Sequence, residues 1–258
     1  MLIDTHCHIH DVEYPLDIDQ TIKRAHENGV EKMICIGTSQ DDSRRAISFA
    51  ASHDDIFCAV GVHPHESKNG YNEIDDLIDL NNSSLVAVGE IGLDYHYDFS
   101  PRNVQIEALQ AQIELALRYD LPIIFHVREA FDDFWPIFDN FHGIRGVVHS
   151  FTDTPYNACQ ALNRELYVGI SGFSTFTKDK LQQTMFSSIP MNKTLLETDA
   201  PYLTPVPLRG KVNEPAYVRS VAEHQSVIRN ISLNEITDAT TKNAFVLFNL
   251  KNKHNQKD

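Results

Sequence analysis

Leu85-Val86-Ala87-Val88-Gly89-Glu90 is an apolar run closed by a carboxylate, and Pro122-Ile123-Ile124-Phe125-His126-Val127 repeats the form further on. Short apolar runs without polar alternation suit strands buried on both faces, the usual state of strands in a parallel sheet. Between them, Ser100-Pro101 reads as an N-cap followed by a first-turn proline, and Ile106, Leu109, Ile113 and Leu117 recur at helical spacing. The stretch is therefore strand, helix, strand, with the apolar face of the helix turned onto the sheet.

The same unit recurs in both directions. Toward the N-terminus lie Leu2 to Thr5, Lys32 to Gly37 and Phe57 to Val62; toward the C-terminus lie Gly146 to His149, Leu166 to Ile170 and Thr194 to Asp199. Gly29 sits where a helix leading into the second strand would end, Thr154-Pro155 opens another helix, and Ser232-Leu233-Asn234-Glu235 is a capping box for the last one. Eight such units imply right-handed crossovers and a parallel sheet, and a chain of about 250 residues is the usual size of a closed barrel. The expectation is an α/β protein with a single-domain (β/α)8 TIM barrel over residues 1–250. A doubly wound open sheet is the structural alternative, but no GxGxxG turn follows the first strand. The final KNKHNQKD, Lys251 to Asp258, has no apolar anchor and is expected to be a disordered tail.

Of the 258 residues, 42% are hydrophobic and 22% charged, an ordinary balance for a globular chain. The N-terminus carries neither a basic leader nor an apolar core, and no run approaches membrane-spanning length, so a cytoplasmic protein without membrane contact is expected. Cys7, Cys35, Cys58 and Cys159 lie far apart, which suits reduced thiols better than a disulfide framework or a zinc knuckle. Lys plus Arg number 22 against 36 Asp plus Glu, a formal charge of -14 that opposes broad capture of duplex nucleic acid. A nucleic-acid substrate would need a local basic site. No organic cofactor signature is present, and a monomer is expected.

In a barrel of this type the chemistry sits where the strands end. The first strand ends in His6-Cys7-His8, the third in His63-Pro64-His65, the fourth in Glu90, the fifth in His126 and Arg128, the sixth in His149 and the eighth in Asp199. Residues two apart in extended chain share a side, so His6 and His8 form a clamp while Cys7 turns away. Six ligand-type residues, His6, His8, Glu90, His126, His149 and Asp199, exceed what one ion requires, and a carboxylate such as Glu90 can bridge two. Two divalent ions are expected, from among magnesium, manganese and zinc, and the histidines favour the transition metals. The other reading of a histidine at a strand end is a hydrogen-bonded core or rim residue. It is adopted for His26, His53, His142, His224 and His254. Glu197 shares the side of Asp199 and is expected to support a ligand, while Asp4 and Asp94 are read as structural acids bonded to backbone or histidine.

The segments DTHCHIH, GVHPHE, VGEIGLDYH, FHVREA, VVHSFT and LLETDAPYL, in this order, together with RGKVNEP from Arg209 to Pro215, resemble the TatD family of metal-dependent deoxyribonucleases among the amidohydrolase-like barrels. The resemblance spans nearly the whole chain. It implies one metal on His6, His8, Glu90 and Asp199 and another on Glu90, His126 and His149, with His63, His65, Arg128 and Arg209 toward substrate phosphate. It also implies cleavage of DNA phosphodiesters, as a 3′ to 5′ exonuclease on single strands or strand ends. Two positions depart from it: His10 stands where relatives commonly have an acid, and Asp153 replaces a small residue, where it would alter anion binding.

In the implied reaction the ions lower the pKa of a water and steady the leaving oxygen, Asp199 takes or holds the proton, and Arg128, Arg209, Lys211, His63 and His65 neutralise phosphate. For Lys211 a solvated loop is the equal alternative. Relatives on this barrel also hydrolyse amides, lactones and esters, including aminoacyl-tRNA, so an amide or ester hydrolase is the rival reading. Retention of all six ligand candidates argues against a third reading, a barrel kept only for interaction.

Overall fold

The computed structural model describes residues 1–79 and 83–250. Strands and helices alternate: β1 Leu2–Cys7, α1 Ile18–Glu27, β2 Val30–Ile36, α2 Gln40–Ala51, β3 Ile56–Val60, α3 Ile74–Asp79, β4 Leu85–Asp94 and α4 Arg102–Arg118. They continue with β5 Ile123–Arg128, α5 Phe131–Phe138, β6 Gly146–Val148, α6 Pro155–Asn163, β7 Tyr167–Ile170, α7 Lys180–Ser188, β8 Thr194–Leu196, α8 Val218–Arg229 and α9 Leu233–Phe248. The strands form one eight-stranded sheet in sequence order, the arrangement of a (β/α)8 barrel. The KNKHNQKD tail lies outside the described residues. Contacts divide the chain into two compact units, residues 1–35 with 149–250, and residues 36–148.

The unit of residues 36–148 is built on β3 to β6. Phe125 of β5 meets Phe134 and Phe138 of α5, with ring centres 5.1 and 5.9 Å apart, so the outer layer is held by aromatic edges against the sheet. One expectation is corrected here: β4 does not end at Glu90 but runs on to Asp94, pairing Ile91 with Phe125, Gly92 with His126 and Asp94 with Arg128. Buried Ile91 and Leu93 continue the strand's apolar face past the carboxylate. Gly92 is needed because a Cβ there would collide with the carbonyl of His126. A second correction concerns α4, whose N-cap position is Pro101 rather than Ser100. The Ser100 hydroxyl instead donates to the His65 carbonyl at 2.7 Å and accepts from the Lys68 amide, tying two loops together. The buried stripe of α4 also differs from the purely apolar one expected, because Gln105 and Gln112 lie in it. Gln112 binds both backbone groups of Val62, and Gln105 both those of Asp94, so this helix fixes the ends of β3 and β4 through amides.

In the other unit, β1 pairs with β2, β7 with β8, and β8 returns to β1. That return is made beyond the formal end of β8: the Asp199 amide donates to the His6 carbonyl at 2.9 Å and the His8 amide to the Ala200 carbonyl at 2.8 Å. Thr154 caps α6, and Ser232 with Glu235 forms the expected capping box of α9, reciprocal bonds that satisfy amides otherwise left open at a helix start. Asn243 of α9 donates to the carbonyls of Met191 and Thr194, seating β8.

All four cysteines are thiols; Cys7, Cys35 and Cys58 are buried, as expected, whereas Cys159 is exposed on α6. Among the described residues no helix is long and apolar enough to cross a membrane.

Candidate active site

In the first unit the extended backbone of β1 brings the His6 and His8 rings to the same side, their Nε2 atoms 3.2 Å apart. Asp199 Oδ1 stands 3.6 Å from the Nε2 of His6 and 3.4 Å from that of His8. His149, one residue past β6, stacks its ring on His6 with centres 4.0 Å apart and planes 12° apart. His6, His149 and Asp199 thus offer donor atoms that all fall within 4.8 Å of one another. Asp199 adopts a left-handed φ of 58°, a conformation that an aspartate tolerates better than a branched residue, and this turns its carboxylate to the imidazoles. Burial pushes its carboxyl up, but the hydrogen bond from His8 and the positive potential of His6 and His149 outweigh burial and hold it below the usual carboxylate range.

The layer beneath orients this set. Glu197, the carboxylate expected to support a ligand, lies 3.4 Å from His149 Nδ1 and accepts from the Ser150 amide. Gly169 leaves the space its carboxylate fills, since a Cβ there would meet Glu197 Oε2. Asp4 accepts from the amide and hydroxyl of Thr198 and from the His6 amide, the structural role read from sequence, and burial raises its carboxyl well above the ordinary value. Asn213, in the RGKVNEP stretch, donates to the carbonyls of Thr198 and Tyr202 on either side of Asp199. Its role as the anchor of that turn was not legible, although the motif containing it was.

In the second unit, His126 lies between two carboxylates of β4: its Nδ1 is 2.8 Å from Glu90 Oε1 and its Nε2 is 2.9 Å from Asp94 Oδ2. His63 Nε2 stands 3.6 Å from Glu90 Oε1, and His63, Glu90 and His126 form a second set of donors within 4.8 Å. Burial and the neighbouring His126 push the His63 imidazole well below its ordinary value, which favours the neutral ring that can donate a lone pair. Asp94 does more than the sequence suggested. Besides His126 it approaches His65 Nε2 at 3.0 Å and accepts from the amides of His96 and Tyr97. Burial alone would raise its carboxyl, but the hydrogen bonds from His126 and His65 hold it far below the usual range. Arg128, at the end of β5, has its guanidinium 5.1 Å from the centre of the Tyr97 ring.

One candidate for phosphate binding in the first unit, Arg209, has its guanidinium engaged by other groups. The Arg209 guanidinium lies 4.0 Å over the Phe176 ring and donates to the Thr204 carbonyl at 2.8 Å, while Lys211 is exposed. The Asp153 carboxylate accepts from Thr154 and from the Asn157 amide, organising the start of α6. The histidines read as bland behave so where described: His53 bonds to the Phe49 carbonyl, His26 and His142 are exposed, and His224 is half-buried; His254 lies outside the described residues. His10 places its ring 6.4 Å from that of His8.

A (β/α)8 fold carrying imidazole and carboxylate sets on its strand ends defines a class, the metal-dependent hydrolases. Imidazole nitrogen with carboxylate oxygen is a donor chemistry suited to divalent transition ions, so the residues fit the metal that the class requires. The family profile described as TatD related DNase matches residues 3–249, and the chain belongs to that family. It is 36% identical over 256 residues to the uncharacterized metal-dependent hydrolase YabD of Bacillus subtilis, covering 97% of this chain and 100% of that one. It is 33% identical over 247 residues to the 3′-5′ ssDNA/RNA exonuclease TatD of Salmonella typhimurium, covering 92% and 94%. Among solved structures, the TatD homologue YjjV of Escherichia coli superposes with a TM-score of 0.90 at 28% identity, covering 97% of this chain and 98% of that one.

Proposed function

We propose that this metal-dependent hydrolase is a 3′ to 5′ exonuclease acting on single-stranded DNA or strand ends, with residues 1–250 as one catalytic domain. The observation that carries the proposal is the gathering of histidines and carboxylates into donor sets, among them His6, His149 and Asp199 and, in the other unit, His63, Glu90 and His126. Such a doubled donor set suits phosphodiester hydrolysis, where attacking and leaving oxygens both need stabilising. A relative at 33% identity bears the name of a 3′-5′ ssDNA/RNA exonuclease, which supports the polarity.

On this reading two divalent ions, magnesium, manganese or zinc, are held by His6, His8, Glu90, His126, His149 and Asp199. When bound, they supply Lewis acidity, lowering the pKa of water and stabilising charge on phosphate oxygens. The chain's own residues do the rest. Asp199 receives the proton at its carboxylate, its ionised form being the one its neighbours favour. Glu197 and Asp94 hold the rings of His149 and His126 in orientation from behind. Arg128 neutralises the phosphate that His63 meets with its neutral ring, and His65, bonded to Asp94, positions that group. Arg209, held by Phe176 and Thr204, is a secondary phosphate contact beside Arg128. With a formal charge of -14 the chain is suited to grip an end and unsuited to coat a duplex. A monomer in the cytoplasm, where buried thiols stay reduced, completes the reading.

The test is digestion of 3′-labelled and 5′-labelled single strands with added metal, beside a closed circular strand. Early loss of the 3′ label with the circle intact is expected. Equal cleavage of the circle would overturn exonucleolytic action, and hydrolysis of esters or amides without any cleavage of nucleic acid would overturn the substrate.

A further inference from the structure

The segment between β4 and α4 carries two aromatic rings that the fold does not bury. Tyr97 and Phe99 are 42% and 53% exposed, yet they stack on each other with centres 5.3 Å apart and planes 14° apart. Scattered exposed aromatics need no explanation, but these are a pair with a common orientation, and the chain invests several contacts in holding them. His65 sets its edge against both, at 5.5 Å from Tyr97 and 4.8 Å from Phe99, and His96 sets its edge against Tyr97 at 4.6 Å. The backbone below is fixed as well. Asp94 accepts from the His96 and Tyr97 amides, and Gln105 donates to the Ser100 carbonyl at 2.9 Å.

Asp94 is also the carboxylate that bonds His126 at 2.9 Å, so one buried side chain anchors both the platform and a proposed metal ligand. On the other side the Arg128 guanidinium stands 5.1 Å from the Tyr97 ring centre. Phe99 covers one face of Tyr97 and the guanidinium overlies that ring, so the pair offers a base the outer face of Phe99 with the guanidinium close by for phosphate, which is what a nucleotide matches. The match requires a base free of its partner, because a paired base presents its face only to its neighbours in the stack.

We propose that Tyr97 and Phe99 form a stacking platform for an unpaired nucleobase of the substrate strand, with Arg128 taking the adjoining phosphate, and that this platform selects single-stranded ends. The assignment rests on the nuclease reading and deepens it. Stacking tolerates every base, so the preference is for strandedness and not for sequence. Tyr97 and Phe99 are substrate-positioning residues here; bond cleavage remains with the metal-ligand sets.

The test compares a short DNA strand with the same strand carrying abasic sites at its 3′ end, for wild type, the double variant Tyr97→Leu/Phe99→Leu and the conservative Tyr97→Phe. KM and kcat are measured with metal present, and binding of fluorescein-labelled strands is followed by anisotropy. For wild type, KM and Kd are expected to rise about tenfold or more on the abasic strand, as loss of one stacked base implies, with kcat little changed. The double variant should show the raised KM on the normal strand and no further rise on the abasic one, while Tyr97→Phe retains wild-type behaviour. Equal KM and Kd for both strands in wild type would overturn the platform, as would a double variant whose affinity falls by the same factor on both strands. A wild-type enzyme that releases nucleotides from neither strand overturns the nuclease reading instead, and the anisotropy comparison then decides the platform by the same criterion. Melting temperatures of the variants within a few degrees of wild type confirm that they fold.

Discussion

The two donor sets differ in how tightly hydrogen bonds hold their members. In the first unit His6, His8 and Asp199 stand 3.2 to 3.6 Å apart, about the spacing of ligands that share one ion at roughly 2.1 Å each. In the second unit His126 is hydrogen-bonded through both nitrogens, at 2.8 and 2.9 Å, to Glu90 and Asp94. The first set is also hydrogen-bonded, His6 to His8 and His8 to Asp199, but over longer distances. The second is a closed network in which one imidazole hydrogen bond has to give way to a metal. The lesson is that residue types on strand ends define a donor set, whereas hydrogen bonding defines how ready each set is. Metal is therefore expected to enter the His6, His8 and Asp199 set more readily than the His126 set.

The comparison is broken most strongly by removing the acid of the first unit. Asp199→Asn keeps the shape but cannot take a proton, and turnover is expected to fall roughly 10³-fold, measured as kcat for strand digestion. Retention of more than a tenth of the activity would remove Asp199 from the proposed proton step. Next come the supporting carboxylates. Glu197→Gln and Asp94→Asn should each weaken metal affinity or activity about 10- to 100-fold, read by metal titration. Asp94→Asn should be the worse, because Asp94 also fixes His65 and the amides of His96 and Tyr97.

Asp94 further separates the two regions in its pH behaviour. Its carboxyl is depressed in the folded protein, so it contributes stability above the unfolded carboxylate value, and that contribution is lost as pH falls through the folded value. Chemical denaturation of metal-free wild type and Asp94→Asn should show a gap that is full at neutral pH and closes in strong acid. A gap independent of pH would mean that shape, not ionisation, is what Asp94 supplies.

A smaller effect is expected for Gln105→Leu, which leaves the Asp94 amide buried without its acceptor and should cost about 1–3 kcal/mol in denaturant unfolding. The smallest is Arg209→Ala. Its guanidinium is engaged by Phe176 and Thr204, so the change in KM should be less than that for Arg128→Ala; the reverse order would make Arg209 the main phosphate contact.

The barrel was legible because most buried strands are short apolar runs and several helices have a marked start, as at Thr154-Pro155 and Ser232. Strand ends were less so. β4 continues past Glu90 because Ile91 and Leu93 keep pairing, and a carboxylate inside an apolar strand looks like an ending when only hydropathy is read. The ligand candidates could be seen as residue types at strand ends, but which of their donor atoms come within reach of one another depends on side-chain geometry that spacing does not carry. Gln105, Gln112 and Asn213 were invisible for a different reason. Each acts through its amide on backbone groups of a distant loop, and an amide within a helix stripe or a loop carries no signal of the partner it will meet.

The most direct test of the account is the metal content of the purified protein after loading with manganese or zinc, by elemental analysis, for wild type, His6→Ala/His8→Ala and His126→Ala. About two ions per chain are predicted for wild type and about one for each variant, with hydrolysis lost in both. A single ion in wild type that disappears in either variant would contradict it, since the two donor sets would then serve one mononuclear site.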